Sequence, residues 1–163
     1  MSTHPSNKGW LHGVRHLPSP HCNERPTGVA VDLLVIHNIS LPPNEFGGAH
    51  VDALFCNTLD CDAHPFFDQL RNLQVSAHFF IDRNGAITQY VSLDQRAWHA
   101  GISQWHGREN CNDFSVGIEL EGADTVPYTD MQYTALQTLT QKIVQYFPLI
   151  SAERMVGHND IAP

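Results

Sequence analysis

Apolar positions along this chain fall into short, well-separated runs. Residues 30–37, Ala-Val-Asp-Leu-Leu-Val-Ile-His, are almost continuously apolar, which fits a buried central strand better than a half-exposed one. Ala77–Asp82 and Ala86–Val91 read as two more strands. The Arg83-Asn84-Gly85 link between them predicts a tight antiparallel hairpin, because Asn-Gly favours positive φ at both turn positions. Residues 113–120 read as a further strand, and 154–157 as a last short one that delivers His158. Leu136, Leu139, Ile143 and Phe147 recur at three- and four-residue spacing, which predicts an amphipathic helix over 130–147. Thr129 with Gln132 three residues on forms a capping box at its start, and Pro148 ends it. Val51, Leu54 and Phe55 mark the inner face of a short helix over 50–56, and Pro42-Pro43 to Gly47-Gly48 is a loop. Residues 1–29, rich in Pro, His, Ser and Asn, predict an irregular N-terminal wrap ahead of a domain over 30–163. Strands interleaved with helices, with one hairpin among them, give an α/β fold: one domain, a mixed central sheet flanked by helices.

A chain of 163 residues buries roughly two thirds of its unfolded surface in one core. The net charge of −8, with Lys8 and Lys142 the only lysines, argues against nucleic acid and against an anionic membrane as partner. No run approaches a membrane span, and the start lacks the basic and apolar regions of a secretory signal. Cys22, Cys56, Cys61 and Cys111 form no Cys-x-x-Cys pair, so reduced thiols in a cytoplasm are the expectation. Six of the eleven histidines, His4, His12, His16, His21, His50 and His106, sit in polar or Pro/Gly-rich surroundings and read as surface residues.

The chemistry concentrates elsewhere. His37 and His158 each end a strand and each precede a small polar residue and a loop, where ligands of α/β sheets bind. Either alone reads as a hydrogen-bonded structural residue; together they offer two ligands of a zinc site, which for catalysis wants three and an open position. His64 and His78 compete for the same role. Glu119 and Glu121 share one strand face while Ile118 and Leu120 point into the core. Both glutamates read either as exposed charges or as a general base; Glu119, nearer the interior, suits the second role, since burial raises its pKa. The stretch Arg96–Gly101 adds Trp98 and an imidazole ahead of a loop. Arg96 and Arg108 read as surface residues or as carboxylate binders.

Val35–Pro43, Val75–His78, Arg96–Gly101, Cys111–Gly122 and Gly157–Pro163, taken as a set, closely resemble the zinc-dependent N-acetylmuramoyl-L-alanine amidases. That family is related to phage amidases and peptidoglycan recognition proteins. The resemblance runs from about Gly9 to Pro163. It implies zinc held by His37 and His158, Glu119 as catalytic acid/base, and Asn38, Trp98 and Leu120 lining the substrate cleft. The implied substrate is a 1,6-anhydromuramyl-peptide of cell-wall recycling, cut between the lactyl group and L-alanine. A monomeric cytoplasmic enzyme follows, one that also restrains the muropeptide signal for β-lactamase induction. In such relatives the third ligand, an Asp, and a transition-state Lys follow the Ile-Ala-Pro segment, which places them past Pro163. The expectation is a chain truncated relative to the family, with weaker zinc binding and impaired turnover. Relatives in the recognition branch supply the alternative, a non-catalytic muropeptide-binding module. Asp160 is the one nearby carboxylate, and an awkward turn separates it from a metal shared with His158.

Overall fold

The computed structural model describes residues 8–163. Ten strands run in chain order as β1 (Arg15–His16), β2 (Cys22–Glu24), β3 (Leu33–Ile39), β4 (Phe79–Ile81), β5 (Ile87–Gln89), β6 (Gln95–Ala97), β7 (Gln104–Trp105), β8 (Arg108–Glu109), β9 (Ser115–Glu121) and β10 (Met155–Gly157). Helices α1 (His50–Phe55), α2 (Asp130–Tyr146) and α3 (His158–Ile161) complete the frame. The central sheet has the order β1-β5-β4-β9-β3-β10. It is parallel throughout except for the β4–β5 hairpin. This is the expected mixed sheet. Among the described residues no helix is long and apolar enough to cross a membrane.

The longest ladder pairs β3 with β9 and sets His37 opposite Glu119. The fully apolar positions of β3, Leu33 to Val35, are buried as a central strand requires. The strand starts three residues later than predicted and ends at Ile39, so His37 lies inside the ladder rather than at its tip. On β9 the alternation is clean. Val116, Ile118 and Leu120 enter the main core with Leu139 and Ile143 of α2, leaving Ser115, Gly117, Glu119 and Glu121 to the other face. The predicted capping box of α2 is present, with the Thr129 hydroxyl accepting from the Gln132 N–H.

Several expectations are corrected. Only Gly85 takes positive φ in the hairpin; Asn84 does not. A three-residue link forms an ordinary turn closed by one left-handed glycine, and the Asp82 carboxylate accepts from the N–H groups of Asn84 and Ala86. The N-terminal wrap is not wholly irregular: β1 joins the sheet edge and β2 pairs with β6. His21, expected on the surface, is buried with its Nδ1 2.9 Å from the Val75 carbonyl, because the β2–β6 ribbon folds it inward. His12, His16 and His106 are exposed and His50 is half-buried; His4 lies outside the described residues.

Candidate active site

Three neighbouring parallel strands, β9, β3 and β10, bring the site together. His37 rises from β3, and His158 follows β10 directly as the first residue of α3. Their Nδ1 atoms stand 3.1 Å apart. Burial, and then the neighbouring His158, pulls the His37 pKa down to about 3, so its ring is neutral and one nitrogen offers a lone pair. Glu119 sits across the ladder from His37, and its Oε2 is shielded from solvent with no hydrogen-bond partner. Burial pushes its carboxyl well above the usual carboxylate range. An orphaned buried carboxylate is costly unless something else engages it.

Two clefts meet here, of about 530 and 430 Å³. Asn38, His99, Glu119 and Asp124 line both. The larger is walled by Leu41, Phe55, Phe66 and Val75, whereas the smaller holds His37, His158 and Tyr128. Asn38 donates to the Asp124 carboxylate at 2.9 Å, which holds its amide at the divide. Such an arrangement offers an apolar bed for a peptide beside a polar chamber with two facing imidazole nitrogens and a carboxyl able to exchange a proton.

Sequence reasoning and structure part company at several residues. Leu120 is buried in the core on the opposite face of β9 and lines neither cleft, since period-two alternation turns it away from Glu119. The Trp98 indole also lines neither; it stacks on His21 at 5.8 Å and donates to the Asn23 side chain. Glu121 is neither an exposed charge nor a base: its two oxygens accept the backbone N–H groups of Gly47 and Arg83. His78 is buried and structural, its Nδ1 accepting from the Gly117 N–H and its Nε2 facing the Gln95 carbonyl. His64 caps the Pro65–Leu70 turn through Nδ1. Arg96 is engaged by Asp113, and Arg108 by Asp32 while lying over the Phe114 ring. Asp160 is turned back to accept the Gly157 N–H at 2.7 Å. Among the described residues no cluster of three or more His, Cys, Asp and Glu is shaped to hold a metal.

His99, which the sequence offers only as an imidazole ahead of a loop with no assigned role, stands inside the site. Its Nδ1 lies 2.9 Å from His37 Nε2, and its Nε2 lies 3.0 Å from Ser115 Oγ. The ring lies directly over Gly117, where a Cβ would come within 2.5 Å of His99 Cγ. A glycine inside a central strand marks close approach of another group, and that was the readable signal.

The sequence pattern of the N-acetylmuramoyl-L-alanine amidases matches residues 27–163. The chain belongs to this family. As an N-acetylmuramoyl-L-alanine amidase it is a hydrolase of the muramic acid–alanine amide class. It is 58% identical over 156 residues to the 1,6-anhydro-N-acetylmuramyl-L-alanine amidase AmpD of Escherichia coli K12, a match that covers 96% of this chain and 85% of that one. A selenomethionine crystal structure of AmpD superposes with a TM-score of 0.93 at 55% identity, covering 96% of this amidase and 87% of that chain. AmiD of E. coli, solved with anhydro-N-acetylmuramic acid-L-Ala-D-γ-Glu-L-Lys, is 31% identical with a TM-score of 0.56, over 86% of this chain and 54% of its own.

Proposed function

We propose that this amidase is a zinc enzyme that hydrolyses the bond between the lactyl carbonyl of 1,6-anhydro-N-acetylmuramic acid and the L-alanine nitrogen of a stem peptide. The observation that carries this is the facing pair of Nδ1 atoms on His37 and His158 beside the unpartnered Oε2 of Glu119. Two N–metal bonds of about 2.0–2.1 Å can span the 3.1 Å between those nitrogens. Neutral imidazoles are also the donor type zinc favours. When bound, zinc acts as a Lewis acid on a carbonyl and acidifies water.

The chain's own residues supply the rest. Glu119 takes a proton from the attacking water at Oε2 and returns it to the leaving amine. Burial raises its pKa, which makes its carboxylate a stronger base toward the water. Asn38, held by Asp124, offers its amide to the substrate at the divide between the clefts. The apolar wall of the larger cleft takes the peptide stem. The substrate reading draws on what AmpD and AmiD act on. Action on recycled wall fragments fits a monomer in the cytoplasm, where such activity would also restrain β-lactamase induction.

His37 and His158 supply two nitrogen ligands to that zinc. The test is zinc content and release of L-alanyl peptide from anhydromuramyl-peptide, for the wild type and Glu119→Ala. A variant that keeps its zinc but loses turnover by roughly 10²–10⁴-fold supports the assignment. Unchanged turnover removes Glu119 from the chemistry.

A further inference from the structure

We infer that His99 is a positioning residue that decides which nitrogen of His37 faces the metal, through a line of hydrogen bonds ending on Ser115. The inference rests on the zinc reading above. His158 Nδ1, His37 Nδ1, His37 Nε2, His99 Nδ1, His99 Nε2 and Ser115 Oγ follow one another, with successive contacts between residues of 3.1, 2.9 and 3.0 Å.

A neutral imidazole carries one N–H and one lone pair, so each ring's choice is dictated by its neighbour. Two arrangements satisfy the line. In one, His37 keeps its proton on Nδ1 and donates to His158, which closes the metal position. In the other, His37 donates from Nε2 to His99 Nδ1 and His99 donates from Nε2 to Ser115 Oγ; His37 Nδ1 then accepts from His158 Nδ1–H in the metal-free protein, and both Nδ1 lone pairs meet a cation once His158 carries its proton on Nε2. Only the second is compatible with zinc. It requires an acceptor at the place His99 Nδ1 occupies, and a metal-binding histidine is commonly oriented by such a partner on its other nitrogen.

The surroundings hold His99 in that place. Gly117 leaves room for the ring, where any side chain would collide with it. The Asn112 side-chain oxygen accepts from the backbone N–H groups of both His99 and Ala100, which fixes the segment bearing the ring. His78, on the far side, accepts from the Gly117 N–H and stands 6.2 Å from the His99 ring, so it packs against the line without joining it.

The test is imidazole nitrogen NMR on ¹⁵N-labelled protein together with zinc affinity from competition with a chromophoric chelator. The variants are His99→Leu, His99→Asn and Ser115→Ala. In zinc-loaded wild type, His37 and His99 are both expected to carry their proton on Nε2, with coupling across the bond between His37 Nε2 and His99 Nδ1. His99→Leu, which offers no acceptor, should bind zinc roughly 10- to 100-fold more weakly. His99→Asn, whose Oδ1 can stand where Nδ1 stood, should recover most of that affinity, which a merely structural role would not predict. Ser115→Ala should show a smaller loss. The inference is overturned by a proton on His37 Nδ1 in the zinc-loaded protein, by unaltered affinity in His99→Leu, or by an Asn variant no better than the Leu variant. If His99→Leu does not fold, unaltered affinity in Ser115→Ala together with absent coupling between His37 Nε2 and His99 Nδ1 in the wild type overturns it. A wild-type chain that takes up no zinc overturns the metal reading and this inference with it; normal uptake with unaltered variants overturns this inference alone.

Discussion

Glu119 carries a cost that the proposed chemistry would explain. Its folded pKa lies above the unfolded value of about 4.3, because burial penalises the charge. Below that pH the residue is protonated in both states and nothing is lost. As pH rises, the unfolded chain releases a proton that the folded one retains, so stability falls. Glu119→Gln is therefore expected to raise the stability of the metal-free protein at pH 7 by on the order of 1 kcal/mol, with the gain vanishing near pH 4. Urea unfolding at the two pH values measures it, and an equal effect at both would show that desolvation is not the cause. The two glutamates look alike in sequence, two residues apart on one face. What separates them is whether backbone N–H groups arrive, as those of Gly47 and Arg83 do for Glu121, and those come from segments distant in the chain. His99 was obscured for the same reason, since its partners lie 62 and 16 residues away.

At the level of elements, β9 does two jobs at once. One face builds the core, and the other alternates Ser115, Gly117, Glu119 and Glu121 beneath the site. Gly117→Ala would drive a methyl into the His99 ring, so it is expected to cost about 1–3 kcal/mol of stability. The same variant should weaken zinc binding, whereas Ala at Gly13, where a Cβ meets nothing, should leave zinc untouched. Chelator competition and thermal unfolding on both variants separate local collision from a general effect. The helix over 130–147, the hairpin and the inner strands were legible because their periodicity and caps are local. The short strands of the N-terminal segment were not, since two- or three-residue pairings such as Arg15–His16 with Thr88–Gln89 leave no periodic trace.

For the molecule as a whole, His37 and His78 are pulled down to about 3 and His99 well below its ordinary value, in each case chiefly by burial. All three stay neutral in the fold but titrate near 6.5 once unfolded. Between about pH 6.5 and 3 the unfolded chain holds more protons, so this contribution to stability is complete above 6.5 and lost as pH falls. Each residue adds a slope of about 1.4 kcal/mol per pH unit inside that window. Unfolding the metal-free protein at pH 5 is expected to take up two to three protons through these rings, readable by calorimetry in buffers of different ionisation enthalpy. Uptake below one proton would mean the rings are charged in the folded state.

β10 has a ladder neighbour on one side only, Met155–Gly157 against Leu34–Ile36. Border strands breathe more readily than interior ones. His158 rides directly on that border, so each breathing event parts the two imidazoles, and a cation clasping both must act as a latch on the strand. Its binding free energy then adds to the local opening cost. Hydrogen–deuterium exchange should slow at the β10 amides when zinc is added and stay unchanged at β1 on the opposite border; equal slowing at both would dissolve the latch.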